Sequence, residues 1–126
     1  MLKTTLILAA LLFPFSSVAD PGSFIFEVNG TKETYSPECI KSISYLPSDE
    51  IDSENLNFSL SDECGKVLYK TTKQNIGKKL FIYYKGNLLS SANIVSVLKN
   101  TFRLSSKEMP RIVLMQLLYD YGVKHD

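Results

Sequence analysis

The chain has few of the residue types that carry out chemistry. Its single histidine, His125, lies one residue from the C-terminus, where side chains are least often held in place, so a histidine-based catalytic triad has no support. The six glycines are scattered, and no phosphate-binding loop is predicted. This composition favours a binding protein over an enzyme, and it predicts neither a cofactor nor a metal site.

Two pairs of adjacent carboxylates remain as candidates for acid–base catalysis, Asp49 with Glu50 and Asp62 with Glu63. The first pair lies in an acidic segment, Ser48 to Asn55, which we expect to be a solvated and mobile loop. The second pair lies at a predicted helix start, where negative charge is favourable. Local structure explains both pairs better than catalysis does.

The first 19 residues have the pattern of a cleavable signal peptide. Lys3 precedes an apolar run from Leu6 to Phe15, and small residues at Ser17 and Ala19 occupy the positions that a signal peptidase reads. The run is shorter than the roughly 20 apolar residues of a membrane helix. We therefore predict export to the periplasm, a single mature domain at residues 20–126, and no transmembrane span after cleavage.

The chain has only two cysteines, Cys39 and Cys64, and two cysteines in an exported protein most simply pair. A disulfide between them would contribute roughly 3 to 4 kcal/mol in the chain-entropy account. The alternatives are a redox pair or metal ligands. Redox sites favour C-x-x-C and structural zinc needs four ligands, and neither condition is met. The prediction is a structural Cys39–Cys64 disulfide.

The segment from Phe58 to Ser90 predicts a strand, a helix and a hairpin in succession. Ser61 is a favourable helix N-cap and Gly77 a favourable stop. A mostly apolar stripe at helical spacing gives the helix a buried face; it consists of Cys64, Val67, Leu68, Thr71 and Asn75. Residues 80–84 are branched and aromatic, and Gly86 suits a hairpin turn before the next apolar pair.

These motifs resemble the head subdomain of the first periplasmic domain of SecD and SecDF, the membrane-anchored accessory of the Sec translocase. The resemblance covers about half of the chain. The matching motifs are Phe58-Ser59-Leu60-Ser61, Thr72-Lys73-Gln74-Asn75-Ile76-Gly77-Lys78, Leu80-Phe81-Ile82, Lys85-Gly86-Asn87-Leu88 and Ser90-Ser91-Ala92-Asn93-Ile94. Lys85 stands where the family has an acidic turn residue, and the family's proline near Ala92 is absent. The resemblance implies the fold, whereas the translocase role does not follow.

The flanking segments complete an α+β fold, with two main helices over one face of a largely antiparallel sheet of four or five strands. The additional predicted elements are strands at Phe24–Val28, Cys39–Leu46 and Phe102–Leu104, a short helix within Ala92–Asn100, and a helix from about Lys107 to Tyr121 with Pro110 in its first turn and Gly122 as its stop. The last helix is apolar around much of its circumference, which fits burial between the sheet and another segment, or contact with a partner.

Charge is distributed unevenly along the near-neutral chain. Residues 20–64 contain ten acidic and two basic residues, and residues 65–126 contain eleven basic and three acidic ones. The two halves could attract each other within the domain. Alternatively, the lysines could contact an acidic partner or anionic lipid headgroups. The candidate contacts are Lys66, Lys70, Lys73, Lys78, Lys79 and Lys85. Nucleic acid is a poor candidate for an exported protein.

Two function classes follow. One is a periplasmic, non-catalytic module that binds another protein or an extended polypeptide along a strand edge. The other is an inhibitor or immunity-type protein that neutralises a specific enzyme or toxin, for which a compact, disulfide-stapled, charge-polarised domain is suited. The oligomeric state is left open.

Overall fold

The computed structural model describes residues 19–124. The predicted signal peptide, apart from Ala19, and His125 lie outside the described residues. The described chain forms seven strands, which we label β1 to β7: Phe24–Val28, Thr31–Tyr35, Ile40–Leu46, Asn55–Leu60, Lys79–Tyr84, Asn87–Asn93 and Thr101–Ser105. It also forms two α-helices, α1 at Asp62–Gln74 and α2 at Arg111–Asp120, and two short 3-10 helices, at Pro37–Cys39 and Ser106–Glu108.

The strands divide into two sheets in which every pairing is antiparallel. Sheet A has the order β2-β1-β5-β6, and sheet B has the order β3-β4-β7. The turn between β1 and β2 has positive φ at both Asn29 (53°) and Gly30 (79°), the combination that matches the twist of a two-residue hairpin. The predicted α+β class and antiparallel pairing are confirmed. The division into two sheets was not foreseen.

The core lies between the two sheets. Alternate side chains of β1 and of β4 are buried, as expected for strands with one buried face. The ring of Phe24 in sheet A meets the ring of Phe58 in sheet B edge to face, with centroids 5.4 Å apart. Phe26 and Phe102 make a similar contact at 6.0 Å. These aromatic contacts join the sheets into one core.

Helix α1 begins where predicted, because the Ser61 hydroxyl accepts a hydrogen bond from the Cys64 amide at its N-terminus. Its buried face runs through Gly65, Leu68 and Thr72. Gly65 allows close approach, since a Cβ there would lie 3.2 Å from Asn100 Cα and nearer still to the Asn100 side chain. The prediction that Val67 is buried was wrong, because its side chain is 47 % exposed.

Helix α2 is shorter than predicted. Residues 106–108 form a separate 3-10 turn, and Pro110 is the N-cap instead of a first-turn residue. The helix packs Val113, Leu114, Leu117 and Leu118 into the core and ends with Gly122 at a φ of 63°. Ile112 on the opposite side is 80 % exposed.

Two segments correct the predictions from sequence. No helix forms between Ala92 and Asn100, because β6 continues to Asn93 and the Ile94 amide extends the pairing by donating to the Lys78 carbonyl. β2 was missed, because its sequence TKETY is polar and only Tyr35 is buried, as suits an edge strand. Among the described residues, no helix has the length and apolar character needed to cross a membrane.

Candidate functional site

Two regions at opposite ends of β5 hold the features from which a site could be built. At the end of β5, Tyr84 and Lys85 direct their polar atoms onto Asp120, the last residue of α2 and only 3 % exposed. Tyr84 Oη donates to Asp120 Oδ2 at 2.6 Å and Lys85 Nζ at 3.0 Å, while Gln116 Nε2 donates to Oδ1 at 2.7 Å. We call these four residues and their contacts the Asp120 cluster.

The Asp120 cluster keeps its carboxylate charged. Burial raises the pKa of Asp120, but the hydrogen bonds from Tyr84, Lys85 and Gln116 outweigh it, so the pKa lies below its usual value. Burial and the hydrogen bond to Asp120 raise the pKa of Tyr84, which therefore stays a donor. Burial and the Asp120 charge raise the pKa of Tyr121 to about 12. No buried side-chain N or O atom among the described residues lacks a hydrogen-bond partner.

The start of β5 lines an open groove of about 440 Å³ between β6 and β7, which are edge strands of sheets A and B. Its apolar lining includes Leu80, Ile82, Ala92, Ile94, Val95, Leu98, Phe102 and Leu104, and its polar rim includes Ser91, Asn93, Arg103, Lys107 and Glu108. An apolar floor with a polar rim is typical of a binding site. We call it the edge groove.

The β7 side of the edge groove has free backbone groups. In an antiparallel ladder, every second residue directs its N–H and C=O away from the partner strand. The Leu60 amide donates to the Asn100 carbonyl at 2.6 Å, which fixes that alternation for β4 and β7. Thr101 and Arg103 therefore point their backbone groups outward. These groups can pair with an added strand.

The β6 side is partly closed by a side chain. The same alternation, fixed by Ile94 and Lys78, turns the Ser91 backbone outward. Glu108 then accepts hydrogen bonds from the Ser91 amide and hydroxyl, both at 3.0 Å. Donation by the Ser91 amide and hydroxyl lowers the pKa of Glu108. Its carboxylate occupies the position that the carbonyl of an added strand would take.

The six lysines singled out from the sequence do not form one surface. Lys85 is held in the Asp120 cluster, and Lys79 lies at the other end of β5, roughly 20 Å away at 3.3 Å per residue. The other four are exposed on or just after α1; they are Lys66, Lys70, Lys73 and Lys78.

The exposed side of α1 combines these lysines with an aromatic ring. Lys73 Nζ lies 5.6 Å and Lys99 Nζ 5.5 Å from the centroid of the Tyr69 ring, within cation–π distance. We call Lys66, Lys70, Lys73 and Lys99, with Tyr69, the lysine face. The described residues contain two side-chain ion pairs, Lys85–Asp120 and Arg111–Glu54, so the lysine face is not neutralised by direct pairing.

The predicted disulfide is confirmed. Cys39 and Cys64 are bonded, with Cα atoms 5.6 Å apart, and link the 3-10 turn before β3 to the first turn of α1. The carboxylate pairs have local roles: Asp49 accepts from the amides of Ile51 and Asp52, and Asp62 accepts from Asn100. The described part of the chain holds no group of three or more histidine, cysteine or acidic side chains that could bind a metal.

The acidic loop is anchored at its end. Glu54 accepts hydrogen bonds from Ser106 and Tyr45 and pairs with Arg111 Nη1 at 2.7 Å. The Ser106 and Tyr45 hydrogen bonds, with the Arg111 guanidinium, lower the pKa of Glu54 to about 2. Residues 48–53 are exposed, as predicted.

Comparison with known proteins does not assign the chain to a family. A scan against models of protein families found no match, and a search of curated proteins found no similar sequence.

Neither the Asp120 cluster nor the edge groove was predicted from the sequence. The Asp120 cluster had a signal, because Val113, Leu117 and Asp120 share one helical face, so that the carboxyl continues an apolar stripe and must find partners. The edge groove had no local signal. It depends on β6 and β7 being edges of different sheets, which no single segment of sequence encodes.

Proposed function

We propose that the protein is a small, non-catalytic periplasmic module that binds extended polypeptide by strand addition. The observation that supports this most directly is the edge groove, where the outward backbone groups of Arg103 border an apolar floor and those of Thr101 continue the same edge of β7. A strand paired with β7 would turn alternate side chains toward that floor. Main-chain pairing gives affinity with little sequence dependence, and the floor favours apolar side chains.

Two further observations support the proposal. The order helix, strand, strand over Asp62–Asn93 is the order that the resemblance to the SecD head implies. The disulfide is compatible with an oxidising, exported location. Lys107 at the rim, and Lys79, whose charge acts on the rim residue Glu108, would favour segments that carry acidic residues beside apolar ones.

Amide hydrogen exchange measured by NMR tests the proposal. The ligand is an unrelated protein that has been reduced and alkylated, so that it cannot refold. We expect the amides of Thr101 and Arg103 to exchange quickly in the free protein and slowly in the complex. If another method detects binding while exchange at both amides is unchanged, the polypeptide does not pair with β7 and the proposed site is wrong.

A pair of matched variants sharpens this test. Ala92 lines the edge groove and is exposed, so Ala92→Phe should fill the groove and weaken binding at least about tenfold. Thr34→Phe adds the same ring at an exposed position of β2 and should leave binding unchanged. Equal affinity in the two variants would contradict the proposal.

The second candidate function is inhibition of a specific periplasmic enzyme or toxin through the lysine face. It is favoured by the cations around Tyr69 and by the exposed apolar side chains of Val67 and Ile76, 47 % and 50 % exposed. Tyrosine is one of the residue types enriched among the side chains that contribute most to protein–protein binding. Capture of one folded, stoichiometric partner from periplasmic extract, lost when Lys66, Lys70 and Lys73 are changed to Glu, would favour it. A broad set of unfolded clients would favour strand addition.

A further inference from the structure

The segment that follows the predicted cleavage position is tied to the far end of the chain. The Asp20 amide donates to Asp120 Oδ1 at 3.3 Å, and Lys85 Nζ donates to the Asp20 carbonyl at 2.7 Å. The Gly22 amide donates to Tyr84 Oη at 3.1 Å. The first residues of the predicted mature chain therefore enter the Asp120 cluster.

A second contact, from the residue that follows α2, fixes the same segment. Tyr121 Oη donates to the Gly22 carbonyl at 2.6 Å. Backbone groups on both sides of Pro21 are thus held, and the nitrogen of Asp20 has little freedom to leave the carboxylate of Asp120. This restraint matters, because a chain end without it would fray into solvent.

We propose that the Ala19–Asp20 peptide bond is a processing site whose new amino terminus becomes a structural ion in the fold. Hydrolysis by a peptidase adds water across this bond, leaving a carboxylate on Ala19 and an amine on Asp20. The amine takes up a proton near neutral pH and pairs with Asp120. This inference rests on the proposed export, but not on polypeptide binding.

The change strengthens a contact that already exists. Before cleavage, the nitrogen of Asp20 is a neutral amide donor. After cleavage, it is an ammonium facing a carboxylate that is almost fully buried, and charge-assisted hydrogen bonds are roughly twice as strong as neutral ones. Asp120 then serves two cations, one on each oxygen, since Lys85 contacts Oδ2. The mature fold is expected to be more stable than the uncleaved one.

The pH dependence has a definite sign. An α-amine in an unfolded chain has a pKa of about 7.7 to 8.0, and pairing with a carboxylate raises it. The ion pair therefore stabilises the fold fully below about pH 7.5 and is lost as the pH rises through the raised pKa. The other titratable groups around it are Lys85 from the β5–β6 turn, Tyr84 from β5, Tyr121 after α2, the Asp20 side chain itself, and Glu38, which acts on Tyr121.

The test compares two full chains exported by their own leader. One is wild type, and the other carries Gly-Ser inserted between Ala19 and Asp20, so that cleavage leaves the amine two residues away. We expect the wild type to melt about 5 °C higher at pH 7, with the difference shrinking to within about 1 °C by pH 10. NMR titration of the wild-type α-amine should give a pKa above 8.

Asp120→Asn provides the control, because the same insertion should leave its melting temperature unchanged. Equal melting of the first two chains at pH 7 would overturn the inference. A difference that persists undiminished at pH 10 would also overturn it, since steric disturbance alone would then explain the insertion. An exported wild-type chain that does not begin at Asp20 would refute the cleavage itself. None of these outcomes bears on binding at the edge groove, which is measured in a separate experiment.

Discussion

The two ends of β5 differ in what surrounds them. At Tyr84, the strand runs into the Asp120 cluster, where helix, turn and N-terminal segment supply a partner for each polar atom. At Leu80, the same strand lines the edge groove, where backbone groups of β7 are left unpaired. The closed end is built for stability, and the open end is suited to binding. Substitutions at the two ends should therefore separate unfolding free energy from ligand affinity.

The largest loss in the free energy of unfolding is expected when the disulfide is removed. The losses expected for the non-covalent contacts are compared with it below. Changing Cys39 and Cys64 together to Ser should lower the free energy of unfolding by roughly 3 to 4 kcal/mol, since the loop between them is no longer closed in the unfolded chain. Urea denaturation measures it. Wild type under reducing conditions is the control and should match the double variant; a loss below about 1 kcal/mol would contradict the estimate.

The next largest loss of stability is expected when Asp120 is changed at the closed end of β5. Asp120→Ala leaves Tyr84 and Lys85 without their shared acceptor, and we expect a loss of about 2 to 3 kcal/mol. The value lies below that of a fully buried pair, because the Lys85 side chain is 36 % exposed and can reach water. Affinity for unfolded polypeptide should not change. If binding fell as much as stability, the two ends would not be independent.

A smaller, pH-dependent effect is expected at Glu54. Its lowered pKa, about 2, means that the charged form is favoured in the folded state, so its contribution is present above about pH 4.5 and is lost as the pH falls toward 2. Glu54→Gln should flatten this part of the stability profile by less than about 1 kcal/mol. Comparing urea midpoints at pH 5 and pH 3 provides the measurement. Glu50→Gln, in the exposed part of the same loop, is the control.

The smallest stability change is expected at the open end. Glu108→Gln should alter the free energy of unfolding by no more than about 0.5 kcal/mol, because Glu108 is exposed. It should nevertheless speed exchange of the Ser91 amide, since the neutral side chain is a weaker acceptor. Unchanged exchange at Ser91 would show that the carboxylate does not cover this edge.

The fold was predictable from sequence where the signals are local. The cap at Ser61, the stop at Gly77 and the disulfide all follow from residue type and spacing, and all are present. The segment after Asn93 was misjudged, because its apolar residues fit a helix, whereas backbone pairing with Lys78 and packing of Ile94 favour an extended chain. In this segment, tertiary contacts override the local helical preference of the sequence.

The candidate sites were less predictable than the fold. Lys66, Lys70 and Lys73 fall opposite the apolar stripe of the predicted helix, and all three are exposed on α1 as expected. The role of Lys85 depends on Asp120, 35 residues later, and the groove depends on two edges meeting. Long-range juxtapositions of this kind are set by the packed fold and leave little trace in local patterns.

The contact between Asp20 and Asp120 also means that the two ends of the described domain meet at one point. Such a chain can be joined end to end by a short linker and reopened elsewhere without crossing the core. The exposed loop near Ile51, 91 % exposed, offers the new opening. A circular permutant of this kind should keep the edge groove intact, because neither the new opening nor the joined ends lie among the residues that line it.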